Sequence, residues 1–370
     1  MEGYDFNDQL IGRTMSDKIK VLMLGPDRGV HGGISALVNS YYEAGIEEKI
    51  DLEYIGTMKE GNKLKKLAVA LIAYIRFLTK LGWCDIVHVN FSSDSSFMRK
   101  SLFIRTAKRH GKKILLHQHG GDFINYYNNQ ISESRRKYVR DTLDMGDIML
   151  VLTESWRVFF SSLTDGSRIR VLPNGIVTSD AGADPTVAKN MEKILFLGRI
   201  CVDKGVRELI DATKKLHEEN ENVRLYIGGI YEDGKLREEI EKNSGFIEYL
   251  GWVSGEKKNR YLDECGIVAL PSYYEGMPVL VIEGMLHGCC VVASNVGGIP
   301  DIIENEVDGL IIPAGDSDAL RKAFERVMKD KDLADRLSCN GVKKAVEKYS
   351  MEKLLNRLLD CYSSILKKNL

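Results

Sequence analysis

Lys193-Ile194-Leu195-Phe196-Leu197-Gly198-Arg199-Ile200-Cys201-Val202-Asp203-Lys204-Gly205 decides the fold, because it repeats in mid-chain what Lys20-Val21-Leu22-Met23-Leu24-Gly25 begins. Each opens as a short apolar run closing on glycine, the pattern of a buried parallel strand and its turn. Similar runs follow the first at 52–56, 85–91, 113–117, 147–152 and 168–172, and the second at 223–228, 246–251, 266–271, 291–294 and 309–313. Helix-length segments separate most of them. Alternation at this spacing predicts an α/β chain with two parallel, doubly wound sheets covered by helices. The small polar residues at 177–185 read as the linker, which divides the chain into 18–180 and 181–349. Residues 1–17 are polar without a period and are expected to be poorly ordered or peripheral. Residues 317–366 read as consecutive helices broken near Tyr349-Ser350.

The chain has 370 residues, 44% hydrophobic and 28% charged. That is an ordinary soluble composition, long enough for two domains. No apolar run reaches the length of a membrane span, and the first 20 residues have no signal-peptide core. The seven cysteines are odd in number and form no C-x-x-C pair. They read as small buried hydrophobes in a reducing compartment, which predicts the cytoplasm. The net charge of −1 hides an asymmetry. Residues 1–180 hold 25 Lys+Arg against 21 Asp+Glu, and residues 181–370 hold 27 against 32.

The richest chemistry lies in Ser272-Tyr273-Tyr274-Glu275-Gly276-Met277-Pro278-Val279-Leu280-Val281-Ile282-Glu283-Gly284. Pro278 suits the first position of a helix, where its missing N–H is not needed. Eight helical residues would separate the two carboxylates by roughly 12 Å, about the length of a sugar joined through a diphosphate to a ribose. Free N–H groups of the helix start, between them, would face the phosphates. Glu283 sits in an apolar helix and needs strong donors, from a ligand or from the protein. The simpler alternative is two surface glutamates.

Three further segments follow strand ends, where open α/β sheets gather ligands. The glycine-rich turn Gly25-Pro26-Asp27-Arg28-Gly29-Val30-His31-Gly32-Gly33 allows backbone N–H groups to approach a phosphate. It matches neither the dinucleotide fingerprint nor a triphosphate loop. His117-Gln118-His119-Gly120-Gly121-Asp122 offers two histidines, for which zinc is a competing reading without a complete ligand set. Arg199 and Lys204 flank the second-domain turn and are placed to reach one diphosphate from a shared rim, the arginine as a fork and the lysine as a point charge.

With these residues in place the chain resembles the retaining glycosyltransferases of family 4, from about Lys18 to about Leu366 and most strongly from Lys193 to Pro313. The marks are Glu275-x7-Glu283, Gly198-Arg199 with Lys204-Gly205, Pro173-Asn174-Gly175-Ile176, and Gly297-Gly298-Ile299-Pro300-Asp301 with Asp308-Gly309. The resemblance implies the GT-B fold: two Rossmann-like domains facing a central cleft, with the last helix (350–370) crossing back to the N-terminal, acceptor-binding domain. It implies that Arg199, Lys204, Gly33 and the backbone of Gly276, Met277, Pro278 and Val279 hold the donor diphosphate. Glu275 and His119 would act at the transferred sugar, Glu283 on the ribose, and the segment Trp252-Val253 near the base. No metal or other cofactor is implied. The donor is a nucleotide sugar, UDP-linked by default, and retention is expected by same-face attack, since no nucleophile stands out.

Residues 59–80 carry six basic residues against one acid, and 95–113 carry seven against none. With the apolar run Leu64–Leu78 they point to an anionic membrane surface on the inner face of the cell membrane, and so to a lipid-linked glycan acceptor in cell-surface polysaccharide synthesis. The alternatives are a helix buried on its sheet and a soluble acceptor. Nucleic acid is disfavoured by sparse aromatic interleaving. A nucleotide-sugar epimerase on the same architecture and a non-catalytic sugar-nucleotide sensor are the competing functions. An NAD dehydrogenase is disfavoured by the first glycine loop.

Overall fold

A computed structural model describes residues 18–178 and 189–367. The predicted disorder of 1–17, most of the predicted linker and residues 368–370 lie outside the described residues.

The first sheet comprises β1 (Lys20–Gly25), β2 (Asp51–Gly56), β3 (Ile86–Phe91), β4 (Lys113–Gln118), β5 (Ile148–Val151) and β6 (Ile169–Val171), in the order β2-β1-β3-β4-β5-β6. The second comprises β7 (Asn190–Leu197), β8 (Arg224–Gly228), β9 (Ile247–Gly251), β10 (Cys265–Leu270), β11 (Cys290–Ser294) and β12 (Leu310–Ile312), in the order β12-β11-β10-β7-β8-β9. All pairings are parallel. Both faces of β3, β10 and β11 are buried, which is why these strands are continuous apolar runs rather than alternating ones. The strand order reverses at β1 in one sheet and between β7 and β10 in the other. Crevices at such switch points are where ligands enter this architecture.

The final helix, Met351–Lys367, belongs spatially to the first sheet. Met351, Leu354, Leu355, Leu358, Tyr362 and Ile365 form one apolar stripe at helical spacing. They bury themselves against Val21, Met23, Ile86, Leu115, Ile148 and Leu150. The crossing is clamped by two backbone hydrogen bonds, Ile176 N–H to Tyr349 O (2.9 Å) and Met351 N–H to Ile176 O (2.8 Å).

The helix Lys63–Lys80 departs from the ordinary. Only Ala73 and Phe77 of its residues are buried. Leu64, Leu67, Leu71, Ile72, Ile75 and Leu78 are all exposed, from 43% at Leu78 to 77% at Leu64. The segment packs on the sheet through a narrow face, Ala73 and Phe77 joining the core with Leu22, Leu24 and Ile55, and leaves its apolar outer face exposed. No helix among the described residues is long and apolar enough to cross a membrane.

Candidate active site

The site is built from the carboxyl ends of β1, β3, β4, β7 and β10. At the end of β3, the Asn90 amide donates to Leu24 O (3.1 Å), which turns its oxygen toward His119 Nε2 at 2.8 Å. Because that oxygen can only accept, Nε2 carries the proton and Nδ1 keeps a lone pair in the neutral ring. The ring is neutral: enclosure holds its pKa well below the usual histidine value, and the charges of His117, His88 and Lys100 add to this. Behind it runs a buried chain. Tyr362 of the final helix meets His88 Nδ1 (2.6 Å), and His88 Nε2 meets His117 Nδ1 (3.3 Å). The His117 ring lies 4.0 Å from that of His119. Burial pushes His117 down to about 3 and His88 well below its ordinary value. Each of these histidines pairs through at least one ring nitrogen, His117 Nε2 being buried without a partner, and among the described residues no group of three or more His, Cys, Asp or Glu is gathered for a metal.

The opposite wall is the segment after β10. Glu275 is buried, and its Oε1 accepts from Ser272 Oγ (2.8 Å) and from Lys204 Nζ (2.5 Å). Local backbone explains how Lys204 arrives there. Gly205 takes a left-handed conformation (φ 67°), and any side chain on it would run into the Pro271 carbonyl. Tyr273 N–H also bonds Asp203 O (2.8 Å). The turn carrying Lys204 is therefore pressed onto the end of β10, and only glycine permits that approach.

The two walls meet. A Cβ on Gly276 would lie 2.7 Å from His119 O, and one on Gly121 would collide with the Glu275 backbone. Trp156 Nε1 donates to Gly276 O (3.3 Å), and the Asn174 amide donates to Met277 O (2.7 Å). Ser155 Oγ reaches Asp301 Oδ2 at 2.5 Å. The segment carrying Glu275 therefore packs directly against the turn that follows His119.

Pro278 is the N-cap, not the first helical residue: its φ of −72° and ψ of 120° are extended, and the helix runs Val279–Leu286. With 275–278 outside the helix, the 12 Å spacing deduced from helical rise does not apply. Glu283 is half-buried, and Lys258 Nζ lies 2.5 Å from its Oε1, so a protein cation supplies the donor it needs. The cap makes no side-chain hydrogen bond. The first N–H groups of the helix, from Val279 on, are the orphan donors found at any helix start.

Arg199 and Lys204 are each held by a different carboxylate, Lys204 by Glu275. Arg199 is more than half exposed and pairs with Glu232 (2.8 Å). The reason lies in the backbone beyond β7. Gly198 N–H bonds Gly228 O, Ile200 N–H bonds Ile230 O, and Glu232 N–H bonds Ile200 O, so pairing continues past the strand and delivers Arg199 to Glu232.

Gly33 opens the helix Gly33–Glu43, and a Cβ on it or on Gly32 would meet nothing within 4 Å. The protein itself does not require glycine there, and the space is available to a ligand. Beside it, the His31 ring sits 4.2 Å from that of Trp252, which brings the first glycine loop opposite Trp252 and the buried Val253. Sequence reasoning missed His31, Asn90, Trp156 and Lys258. Only Lys258 had a signal, the unmet need of Glu283 for a cation.

Two family models match the chain: Glycosyltransferase Family 4 over residues 46–180 and Glycosyl transferases group 1 over residues 192–330. Among curated proteins it is 28% identical over 201 residues to the GalNAc-alpha-(1->4)-GalNAc-alpha-(1->3)-diNAcBac-PP-undecaprenol alpha-1,4-N-acetyl-D-galactosaminyltransferase of Campylobacter jejuni, covering 53% of this chain and 54% of that protein. The chain spans about half the length of the curated relatives it matches. Among solved structures it superposes on sucrose-phosphate synthase from Thermosynechococcus elongatus with a TM-score of 0.78 at 18% identity, covering 95% of this chain and 100% of that one. It also superposes on Anabaena Alr3699/HepE in complex with UDP and glucose with a TM-score of 0.72 at 16% identity, covering 94% and 100%.

Proposed function

The chain belongs to the family 4, group 1 glycosyltransferases and has their GT-B fold, and from that premise we propose that it moves a hexose from a nucleotide sugar to an acceptor hydroxyl with retention of configuration. The observation that carries this reading is that the segment holding the Lys204–Glu275 pair, which leads into the helix start at Val279, packs against the turn after His119 at the facing sheet end. UDP is the favoured nucleotide, supported by the complex of the HepE neighbour with UDP.

Negative charge grows on the leaving diphosphate. Lys204 and the orphan N–H groups of the helix Val279–Leu286 are fixed beside that position and need not reorganise. Glu275, already accepting from Lys204 and Ser272, accepts from sugar hydroxyls. Glu283 with Lys258 holds the ribose, Gly33 brings backbone N–H from the other wall, and Trp252-Val253 lies near the base. His119 Nδ1 accepts from a sugar hydroxyl, since Nε2 is committed to Asn90. Attack comes from the face the diphosphate leaves, with that phosphate taking the acceptor proton. Arg199 would join the diphosphate by exchanging Glu232 for it. Lys204 and the helix N–H groups supply the charge stabilisation, so no metal is required.

The acceptor domain comprises 18–180 with 350–370, and the donor domain 181–349. The exposed stripe of Lys63–Lys80, flanked by lysines, docks on an anionic bilayer at the cytoplasmic face, each near-surface cation contributing about 1 kcal/mol. A lipid-linked glycan acceptor in polysaccharide synthesis fits that position and the undecaprenol-linked substrate of the Campylobacter relative.

One experiment tests the core of the reading. The chain is screened against nucleotide sugars by thermal shift, and product from the best donor is examined by NMR, with and without EDTA. An α-linked product from an α-linked donor, unchanged by EDTA, is expected. Epimerised donor without acceptor, an inverted product or a trapped glycosyl-enzyme would sink it. Retention on anionic but not neutral vesicles tests the docking. A dimer in solution that hides the stripe would replace it.

A further inference from the structure

The wall proposed for the acceptor carries two adjacent cations. Lys100, on the helix Asp94–Arg109, is 1% exposed, and neither it nor Arg99 forms an ion pair among the described residues. The Arg99 Nε is buried without a hydrogen-bond partner. The two are adjacent and repel one another, and burial together with that repulsion lowers the Lys100 ammonium to about 7. A buried charge without a partner costs several kcal/mol and is normally neutralised or paired.

Helical side chains lean back toward the helix N-terminus, so the Lys100 stem leads toward Asp94. That helix start is uncapped, for Ser93 makes no side-chain capping bond. It abuts the turn after the active-site histidine: a Cβ on Gly120 would lie 2.8 Å from Ser92 Cβ and 3.1 Å from Ser93 N. The charge of Lys100 also acts on His119. Lys100 and Arg99 thus lie on one helix whose start abuts the turn after His119, and among the described residues neither cation is paired with a carboxylate, that of Asp94 at the helix start included.

We propose that Lys100, Arg99 and the start of the helix Asp94–Arg109 form a phosphoryl-binding subsite for the acceptor, distinct from the donor diphosphate site at Lys204. The acceptor then carries a phosphate or diphosphate close to the hydroxyl that is glycosylated. This rests on the acceptor reading given above, and it places the charged end of the acceptor rather than its sugar.

The test uses the full chain with UDP at saturating concentration, so that the donor crevice is already filled. Inorganic pyrophosphate, farnesyl diphosphate and farnesol are titrated by calorimetry and by thermal shift against wild type, Lys100→Met, Lys100→Arg and Arg99→Gln. Wild type should bind both phosphorylated probes and not farnesol. Lys100→Met should lose at least about tenfold in affinity, and Lys100→Arg should recover part of it. Without ligand, Lys100→Met should melt no lower than wild type, because it removes an unpaired buried charge. Tighter binding of farnesyl diphosphate than of pyrophosphate assigns the subsite to a lipid-borne phosphate, and equal binding assigns it to a soluble one. Unchanged affinity in Lys100→Met and Arg99→Gln, or equal binding of farnesol, overturns the proposal. Failure to bind UDP would instead strike the donor reading, and the probe arms can still be read without it.

Discussion

The two walls of the crevice solve the burial of charge in opposite ways. On the donor wall every cation discussed has an internal carboxylate: Lys204 has Glu275, Lys258 has Glu283 and Arg199 has Glu232. On the wall proposed for the acceptor Arg99 and Lys100 have none among the described residues, and burial holds three histidines neutral. The donor wall is self-satisfied and ready before its ligand arrives. The other wall, on the proposed reading, is completed when something anionic reaches it. A partner that must be released each turnover suits the first arrangement, and one that must be recognised from among many hydroxyl compounds suits the second.

The largest test of this contrast is Glu275→Ala. If the carboxylate serves the sugar as well as Lys204, kcat/KM should fall about 10³-fold, in the range seen when a preorganised electrostatic group is removed. Melting that drops while turnover holds would make the pair purely structural. His119→Ala should cost turnover while leaving UDP affinity unchanged by calorimetry.

Acid should find the other wall first. His88, His117 and His119 have folded pKa values below the unfolded 6.5, so unfolding takes up protons below that pH. Their contribution to stability is complete above pH 6.5 and is lost as pH falls toward the folded values. The expected loss is about 1.4 kcal/mol per pH unit for each such histidine. Denaturant titrations between pH 7 and 5 should show this slope, and His117→Phe should flatten it by about one proton.

A smaller effect separates ligand space from protein space. Gly33→Ala should leave the melting temperature unchanged yet raise the donor KM about tenfold, the equivalent of ~1.4 kcal/mol. Gly205→Ala should instead destabilise the chain, since its Cβ meets the Pro271 carbonyl. The smallest shift is expected for Leu71→Glu. Its exposed site predicts a change within about 0.5 kcal/mol, with loss of vesicle retention as the only consequence.

The strands were legible because parallel sheets bury both faces and leave unbroken apolar runs, as at β10 and β11. The crossing helix came from the resemblance, and its stripe at 351, 354, 358, 362 and 365 bears it out. What escaped were facts settled between elements. No local pattern announces that the backbone beyond β7 goes on pairing and takes Arg199 to Glu232. Nor does one show that Pro278 stays extended because its loop is held at both ends, by Asn174 at Met277 and by Lys204 at Glu275. Lys100 was visible only as one charge in a basic run. Its isolation emerges from packing.

The helix Met351–Lys367 lays down the last described part of a wall whose strands end at Val171. During synthesis the ribosome must deliver the whole later half before Val21, Met23 and Leu115 receive their cover, so the early half waits with a sticky face while the strands of the later half are completed. A chain stalled near Tyr349 should therefore emerge with its second sheet complete and its first sheet still aggregation-prone on one face, which makes this helix a natural checkpoint for chaperones and proteases.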